Sequence, residues 1–145
     1  MLHVYEFEIF EDEGLFMTFP YDMQGGTQGR TFKEACEMAA DWLQAECEHR
    51  AMHGLTFPEA TFGNEPRNGG KTVIVAVSAG KDTVRRMSKA EAARALGVTA
   101  GRVTQMVAAN KLESFELNGR EWVTAASVEA RIREKPRAGR PKATA

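Results

Sequence analysis

The fold of the second half of the chain is decided by Ser88-Lys-Ala-Glu-Ala-Ala-Arg-Ala-Leu-Gly-Val98, together with Thr99 immediately after it. The leading serine is a good helix N-cap, and Glu91 three residues later completes a capping box. Gly97 breaks the helix and can supply the left-handed backbone of a tight turn. Thr99 caps a second helix that runs to about Ala109. The pattern predicts two short helices joined by a turn.

Three spacings indicate how the two helices cross. Ala93 precedes Gly97 by four residues, and its small side chain lets the helices approach closely. Val103 follows Gly97 by six residues and points back into the core. This order of small residue, glycine and branched apolar residue is typical of a helix-turn-helix. The predicted apolar centre consists of Leu96, Val98, Val103, Met106 and Val107.

A hairpin and a last helix follow. Asn118-Gly119 is a strong signal for a two-residue hairpin turn, and apolar residues flank it on both sides. We expect the hairpin within Lys111–Val123, and Ser127 as the cap of a helix over Val128–Glu134. Residues 84–134 are therefore predicted to form a mostly helical winged helix-turn-helix domain.

In a winged helix-turn-helix the second helix enters the major groove of DNA. Arg102 can fork onto guanine, and Gln105 can bind adenine. Lys111 and Arg120, at the base and tip of the hairpin, suit phosphate contacts. The alternative is a three-helix bundle that contacts no DNA. The predicted exposed residues of the second helix are Thr99, Ala100, Arg102, Thr104 and Gln105.

The tail, residues 135–145, is basic and interrupted by proline. Its Gly139-Arg140-Pro141 resembles the centre of a minor-groove AT-hook, although Ala138 replaces the usual arginine. A solvated basic tail is the simpler interpretation. We nevertheless count the tail cations among the candidate DNA contacts: Arg137, Arg140 and Lys142.

The first half has a different pattern. Alternation over Leu2–Phe10 predicts a strand with one wet face, and Leu15–Phe19 predicts its hairpin partner. Gly25-Gly26 and Gly29 mark an irregular connection or a very short third strand. Thr31 caps a helix to about Met52, and Thr72–Ser78 is expected to be a strand buried in the sheet. The order β-β-(β)-α-β predicts an α+β fold, with a small antiparallel sheet packed against one long helix.

The long helix has two faces. A capping box is expected between Thr31 and Glu34. The buried stripe is predicted as Phe32, Ala35, Cys36, Ala39, Leu43 and Cys47, and the outer acidic face as Glu34, Glu37, Asp41 and Glu48.

The charges of the two halves are opposite. Residues 1–82 hold 14 acidic and 6 basic residues, a net of −8, whereas residues 83–145 hold 6 acidic and 13 basic residues, a net of +7. A basic segment is the natural partner of a polyanion. We expect a first domain over residues 1–80, a linker at 81–83, a DNA-binding domain at 84–134 and the tail at 135–145.

Several classes of protein are disfavoured. No apolar run spans a bilayer and no signal peptide is recognisable, so a cytoplasmic protein is expected. Ribonuclease H chemistry needs several carboxylates on two metal ions, and Glu6, Glu8 and Asp22 do not make the set of four. His49 and His53 have only one cysteine nearby, Cys47, and no nucleotide or hydrolase motif is present. We expect no enzyme, no metal and no cofactor.

Residues 84–134 resemble the winged helix-turn-helix of excisionases and MerR-type regulators. The resemblance is carried by Lys89-Ala-Glu-Ala-Ala-Arg-Ala-Leu-Gly-Val98, by Leu112 and by Asn118-Gly-Arg-Glu-Trp-Val123. It covers about a third of the chain, and implies DNA binding.

The first half resembles the HicB antitoxin family. The shared features are Phe19-Pro20, Asp22, Gly25-Gly26, Thr27-Gln28-Gly29, and Thr31 with Glu34-Ala35. The resemblance implies a degraded RNase H-like fold that binds a small mRNA-cleaving toxin of the HicA type, and a C-terminal domain that represses the operon. Tyr21 is an extra residue in the pattern, and the DNA-binding part differs from the usual types of this family.

These observations predict an antitoxin that neutralises a small basic toxin and represses its own operon as a homodimer or larger homo-oligomer. The acidic helix face would steer the toxin. The alternatives are a DNA-binding regulator whose first domain senses a ligand or a protein, and a nucleic-acid-processing enzyme.

Overall fold

The structure is a computed structural model that describes residues 1–134. The chain divides into two compact units, the first spanning Met1–Thr83 and the second beginning at Val84. Within residues 1–134, no helix combines the length and the apolar character that crossing a membrane requires.

The first unit is α+β, with a small antiparallel sheet and one long helix, as predicted. Its four strands lie in the order β3-β2-β1-β4. A 3-10 turn over Lys81–Thr83 ends the unit where a linker was expected. The elements are β1 (Leu2–Asp12), β2 (Leu15–Pro20), β3 (Thr27–Gly29), α1 (Phe32–His53) and β4 (Lys71–Ser78).

Helix α1 covers one face of the sheet. Tyr5 and Phe7 of β1 and Val75 and Val77 of β4 pack against it. The buried stripe is narrower than predicted, because Phe32 is 37% exposed and Cys36 is only half-buried. The buried helix residues are Ala35, Ala39, Leu43 and Cys47.

The ends of α1 are fixed by local chemistry. The Thr31 hydroxyl accepts a hydrogen bond from the backbone N–H of Glu34 at 3.0 Å, and Gly54 ends the helix in the left-handed conformation at φ 63°. The Glu34 carboxylate accepts from the backbone N–H of Arg30, at 3.2 Å, and not from that of Thr31. The predicted capping box is therefore displaced by one residue.

Two expectations about the sheet are wrong. The face of β1 that carries Glu6 and Glu8 is not wet: both side chains are buried, at 5% and 3% exposure, under residues 61–70. Strand β4 is not interior but lies at the edge, hydrogen-bonded to β1 alone among the described strands. Its Ile74 is 64% exposed. Alternation and β-branching indicate a strand, but neither indicates which strands lie beside it or what covers its faces.

The second unit combines three helices with a three-stranded antiparallel sheet. Strand β5 was not predicted, because two residues are too short for a periodic signal. The sheet, in the order β5-β7-β6, corrects the expectation of a mostly helical domain. The elements are β5 (Arg86–Met87), α2 (Lys89–Leu96), α3 (Ala100–Ala108), β6 (Ser114–Leu117), β7 (Arg120–Thr124) and α4 (Ala125–Glu134).

Local signals in this unit match the sequence closely. The capping box of Ser88 and Glu91 is present, and Gly97 is left-handed at φ 69°. Asn118 and Gly119 form the hairpin turn at φ 54° and 77°. The core joins α2 and α3 to the hairpin and α4, through Ala92, Ala93, Leu96, Val103, Met106, Leu112, Val123 and Val128.

Helix α4 starts three residues earlier than predicted. The hydroxyl of Thr124 accepts from the backbone N–H of Ser127 at 3.3 Å, so Thr124 and not Ser127 caps the helix. The hydroxyl of Ser127 instead accepts from the backbone N–H of Glu113, at 3.1 Å. This bond ties α4 to the segment before β6.

Candidate nucleic-acid and protein interfaces

Helix α3 presents one polar face to solvent. Val103 and Met106 are buried beneath it. The Thr99 hydroxyl caps the helix by accepting from the backbone N–H of Arg102 at 3.1 Å. The residues expected to be exposed are exposed, namely Thr99, Ala100, Arg102, Thr104 and Gln105, and Gly101 and Ala108 are exposed with them. This face is therefore accessible to a partner surface.

Lys89 connects α3 to the hairpin. Its ammonium lies 2.7 Å from a carboxylate oxygen of Glu121 on β7 and 3.3 Å from the Thr104 hydroxyl on α3. The hydrogen bond from Lys89, with a second from Ser114, lowers the pKa of Glu121. Thr104 also donates to the Ala100 carbonyl at 3.3 Å, so its hydroxyl is engaged within the unit. The Arg102 guanidinium and the side-chain oxygen of Gln105 are 3.5 Å apart, which is a long hydrogen bond.

Two cations stack against Trp122 of the hairpin, one from the hairpin and one from β5. The guanidinium of Arg120 lies 4.2 Å from the ring centre of Trp122, and that of Arg86 lies 5.0 Å from it. Cation–π contacts of this kind contribute about 0.5–1 kcal/mol at exposed sites. Trp122 thus holds two guanidiniums beside one ring. Arg86 was missed from the sequence, because only the pairing of β5 with β7 brings it to Trp122.

The remaining predicted DNA contacts fall into two groups. Lys111 is exposed just beyond α3, and its backbone N–H bonds to the Met106 carbonyl at 2.8 Å. The three tail cations, Arg137, Arg140 and Lys142, lie outside the described residues.

The predicted acidic face of α1 separates into two pairs. Glu37 and Asp41, one turn apart, are exposed. Glu34 is half-buried and bonds to the backbone of Arg30. Glu48 accepts from the Thr83 hydroxyl at 2.7 Å and from the Gln44 amide at 3.1 Å. Two of the four carboxylates therefore hold the unit together, and two are directed to solvent.

Glu6 anchors the long loop between α1 and β4. Its carboxylate accepts from the backbone N–H groups of Gly63, at 3.1 Å, and Asn64, at 2.9 Å, and from the Asn64 side chain at 2.8 Å. These bonds, led by the backbone N–H of Asn64, lower the pKa of Glu6. Glu6 therefore has a structural role, as the hydrogen-bond acceptor that holds this loop.

Glu8 repeats the arrangement two residues along. It accepts from the backbone N–H groups of Arg67 at 3.0 Å, Asn68 at 2.8 Å and Gly70 at 3.1 Å, and from the Asn68 side chain at 3.1 Å. Burial raises the pKa of Glu8, but these donors together outweigh it and the pKa is lowered. We call Glu6 and Glu8 with their loop donors the carboxylate clamp.

Asp22 fixes a third point of the same loop. It accepts from the backbone N–H and the hydroxyl of Thr61, both at 2.8 Å. The Tyr5 hydroxyl donates to the Pro58 carbonyl at 2.7 Å, nearer the start of the loop. The three carboxylates that invited comparison with ribonuclease H thus bind loop amides.

The cysteines and histidines of α1 are the side chains that the sequence offered for a metal site. Burial raises the pKa of Cys47 to about 11, so its thiol is neutral, and burial also raises the pKa of Cys36. The rings of His49 and His53 lie 4.5 Å apart. Within residues 1–134, no group of three or more histidine, cysteine or acidic side chains is arranged to hold a metal ion.

An open cleft of about 560 Å³ lies beside the loop. Most of its polar groups already have partners: Tyr21 shares a hydrogen bond with Thr72, and Arg50 pairs with Glu46 at 2.8 Å. The guanidinium of Arg67 stacks over the Tyr21 ring at 5.1 Å. The lining consists of Tyr21, Asp22, Met23, Gln24, Arg50, Pro58 and Arg67.

No protein-family model and no curated protein sequence matches this chain. Among solved structures, it is similar to one described as a toxin-antitoxin complex from Streptococcus pneumoniae, with 14% sequence identity and a TM-score of 0.49. The match covers 77% of this chain and 99% of that chain. A likeness this distant does not assign a function.

The carboxylate clamp predicts a measurable loss of stability. Glu8→Ala leaves four loop donors without their acceptor, and we expect the free energy of unfolding of the first unit to fall by about 1–3 kcal/mol. Urea unfolding in a Trp122→Phe background isolates the fluorescence of Trp42, which lies in the first unit. Glu11→Ala, at an exposed position of the same strand, is the control. Equal stability of the two variants would contradict the clamp.

The clamp also predicts a direction of pH dependence. The pKa values of Glu6 and Glu8 are lowered from 4.5, so their contribution to stability is complete above that pH and is lost as the pH falls through the folded-state values. We expect the amides of Gly63, Asn64 and Asn68 to lose protection from hydrogen exchange in acid before those of α1. Simultaneous loss in loop and helix would show that the clamp does not titrate separately.

Proposed function

We propose that the protein is an antitoxin of the HicB type that also represses its own operon. The first unit would bind a small basic mRNA-cleaving toxin of the HicA type, and the second unit would bind operator DNA as a winged helix-turn-helix. The observation that carries the proposal is the opposition of charge, since residues 1–82 are acidic at −8 and residues 83–145 basic at +7. Two units of opposite charge suit two partners of opposite charge.

Support for DNA binding comes from the second unit. Arg102 and Gln105 project from the exposed face of α3, where a recognition helix presents its base contacts. The exposed Lys111 and Arg120 are candidate phosphate contacts, and Arg86, half-buried beside Trp122, is a third. The tail cations would extend this contact.

Support for toxin binding comes from the exposed pair Glu37 and Asp41. A protein that cuts mRNA carries basic charge, and acidic residues at the rim of an interface speed its approach. The carboxylates of Glu34 and Glu48 are hydrogen-bonded inside the unit, so they would contribute only their negative charge to the attraction of the toxin. We propose no catalytic role, because Glu6, Glu8 and Asp22 are all occupied by loop hydrogen bonds.

The cleft beside Tyr21 favours a second candidate, a DNA-binding regulator whose first unit senses a ligand. Arg50 and Arg67 would attract an anionic ligand there. This is the weaker of the two proposals, because Tyr21 and Arg50 of the cleft already have partners within the protein. Binding of a small anion that changes DNA affinity, without a protein partner, would favour it.

The DNA-binding proposal predicts different effects at two kinds of residue. Arg102→Ala should weaken binding to the specific site by roughly 1–3 kcal/mol and relax the preference at one base pair. Lys111→Ala should lower affinity for all sequences and reduce the salt slope by about one. Fluorescence anisotropy with specific and random duplexes over a range of salt separates the two.

Arg30→Ala is the matched control, because it removes an exposed cation from the first unit. It should leave DNA affinity unchanged. An Arg102→Ala protein with the original affinity and preference would place the reading surface elsewhere. Loss of DNA binding in the Arg30→Ala protein would point to net charge alone.

The antitoxin proposal predicts that the chain co-purifies with the product of a neighbouring small gene that encodes a basic, double-stranded-RNA-binding-like protein. Reversing the exposed pair, as Glu37→Lys with Asp41→Lys, should slow association by about tenfold through lost electrostatic steering. Stopped-flow association at low and high salt measures this effect.

Glu59→Lys with Glu65→Lys is the charge-matched control, since both residues are exposed on the loop. If this control slows association equally, steering depends on total charge and not on α1. Failure of the two proteins to co-purify, with no rescue of toxicity in cells, would end the antitoxin proposal.

A further inference from the structure

Strand β4 is an edge strand of a kind that proteins seldom leave unpaired. Residues 71–78 bond to β1 along one side, and no other described strand pairs with them. On such an edge, alternate residues direct their backbone N–H and C=O groups away from the sheet. These groups form a template for a further strand.

The usual protection against pairing is limited to Lys71, the first residue of β4. The strand is eight residues long, and Thr72–Ser78 contains no charged residue and no proline. Ile74 lies on the face of the sheet opposite α1 and is 64% exposed. Native sheets blunt exposed edges with short strands, charges, prolines or bulges. An edge with so little of this protection is suited to a partner.

A second copy of β4 fits this edge, because its residues can pair with themselves without a direct clash of charge. The unit as a whole is strongly acidic, but residues 66–81 contain three basic residues and no acidic one. When β4 pairs antiparallel with its own copy about Ile74 or Val75, Lys71 lies opposite an uncharged residue. No like charges then face each other, and β-branched residues become cross-strand neighbours, a favourable pairing.

We propose that two copies of the chain pair through β4, so that the two four-stranded sheets become one continuous sheet across a twofold axis. The contact is isologous, because the same strand serves on both sides. The inference rests on the homodimer of the proposed function and gives it a surface, but it requires neither DNA nor toxin.

The test is the mass of the full chain in solution. Ile74→Lys places a charge on the exposed face of the edge strand in each copy, and we expect the dimer dissociation constant to rise by about tenfold or more, because the symmetric contact contains the change twice. Sedimentation equilibrium without DNA measures this constant. Ile132→Lys, at a 46% exposed position of α4, is the control and should leave the dimer intact.

Amide hydrogen exchange at two protein concentrations provides a second measurement on the unaltered chain. The β4 amides should gain protection as the concentration rises, while those of α4 should not. A chain that is monomeric, or a dimer that survives Ile74→Lys, would overturn the proposal and leave the edge to a strand of another protein. A dimer weakened equally by Ile132→Lys would also overturn it. DNA affinity for a single half-site is unaffected by either result, so the two proposals fail separately.

Discussion

The first unit depends on the two buried carboxylates of β1. One face of this central strand supplies the apolar side chains that meet α1, and the other face supplies Glu6 and Glu8 to the loop. The loop backbone would otherwise leave several N–H groups without partners against the sheet. Because β1 makes both sets of contacts, this one strand holds α1 against one face of the sheet and the loop against the other.

In the second unit, cationic side chains make the contacts between separate elements. Lys89 binds both α3 and the hairpin, and Trp122 gathers Arg86 and Arg120. These positive groups are thus held in place by side chains of the unit itself. If the unit binds DNA as proposed, such preorganised contacts would lose less conformational entropy on binding, which favours affinity at a given number of charges. The hairpin would then contribute Arg86, through Trp122, in addition to Arg120 at its tip.

The accuracy of the sequence predictions follows the range of the interactions. Caps and turns at Thr31, Gly97 and Asn118-Gly119 depend on a few neighbouring residues, so α1, the α2–α3 pair and the hairpin were predictable. The clamp joins residues 57 to 62 positions apart, which no local pattern records. The edge position of β4 and the existence of β5 depend on pairing partners and were missed for the same reason. Exposed residues of α3 were identified because helical spacing alone determines them.

The clamp also divides the loop into separately held parts. Asn64 ends the part bound by Glu6, and Arg67 begins the part bound by Glu8, which leaves Glu65-Pro66 exposed between two fixed points. Chain inserted at that point would leave and re-enter the unit through anchored ends, and such sites tolerate additional sequence well. A peptide tag or a small reporter domain inserted there would lie on the surface and leave both the helix layer and the loop layer unaltered.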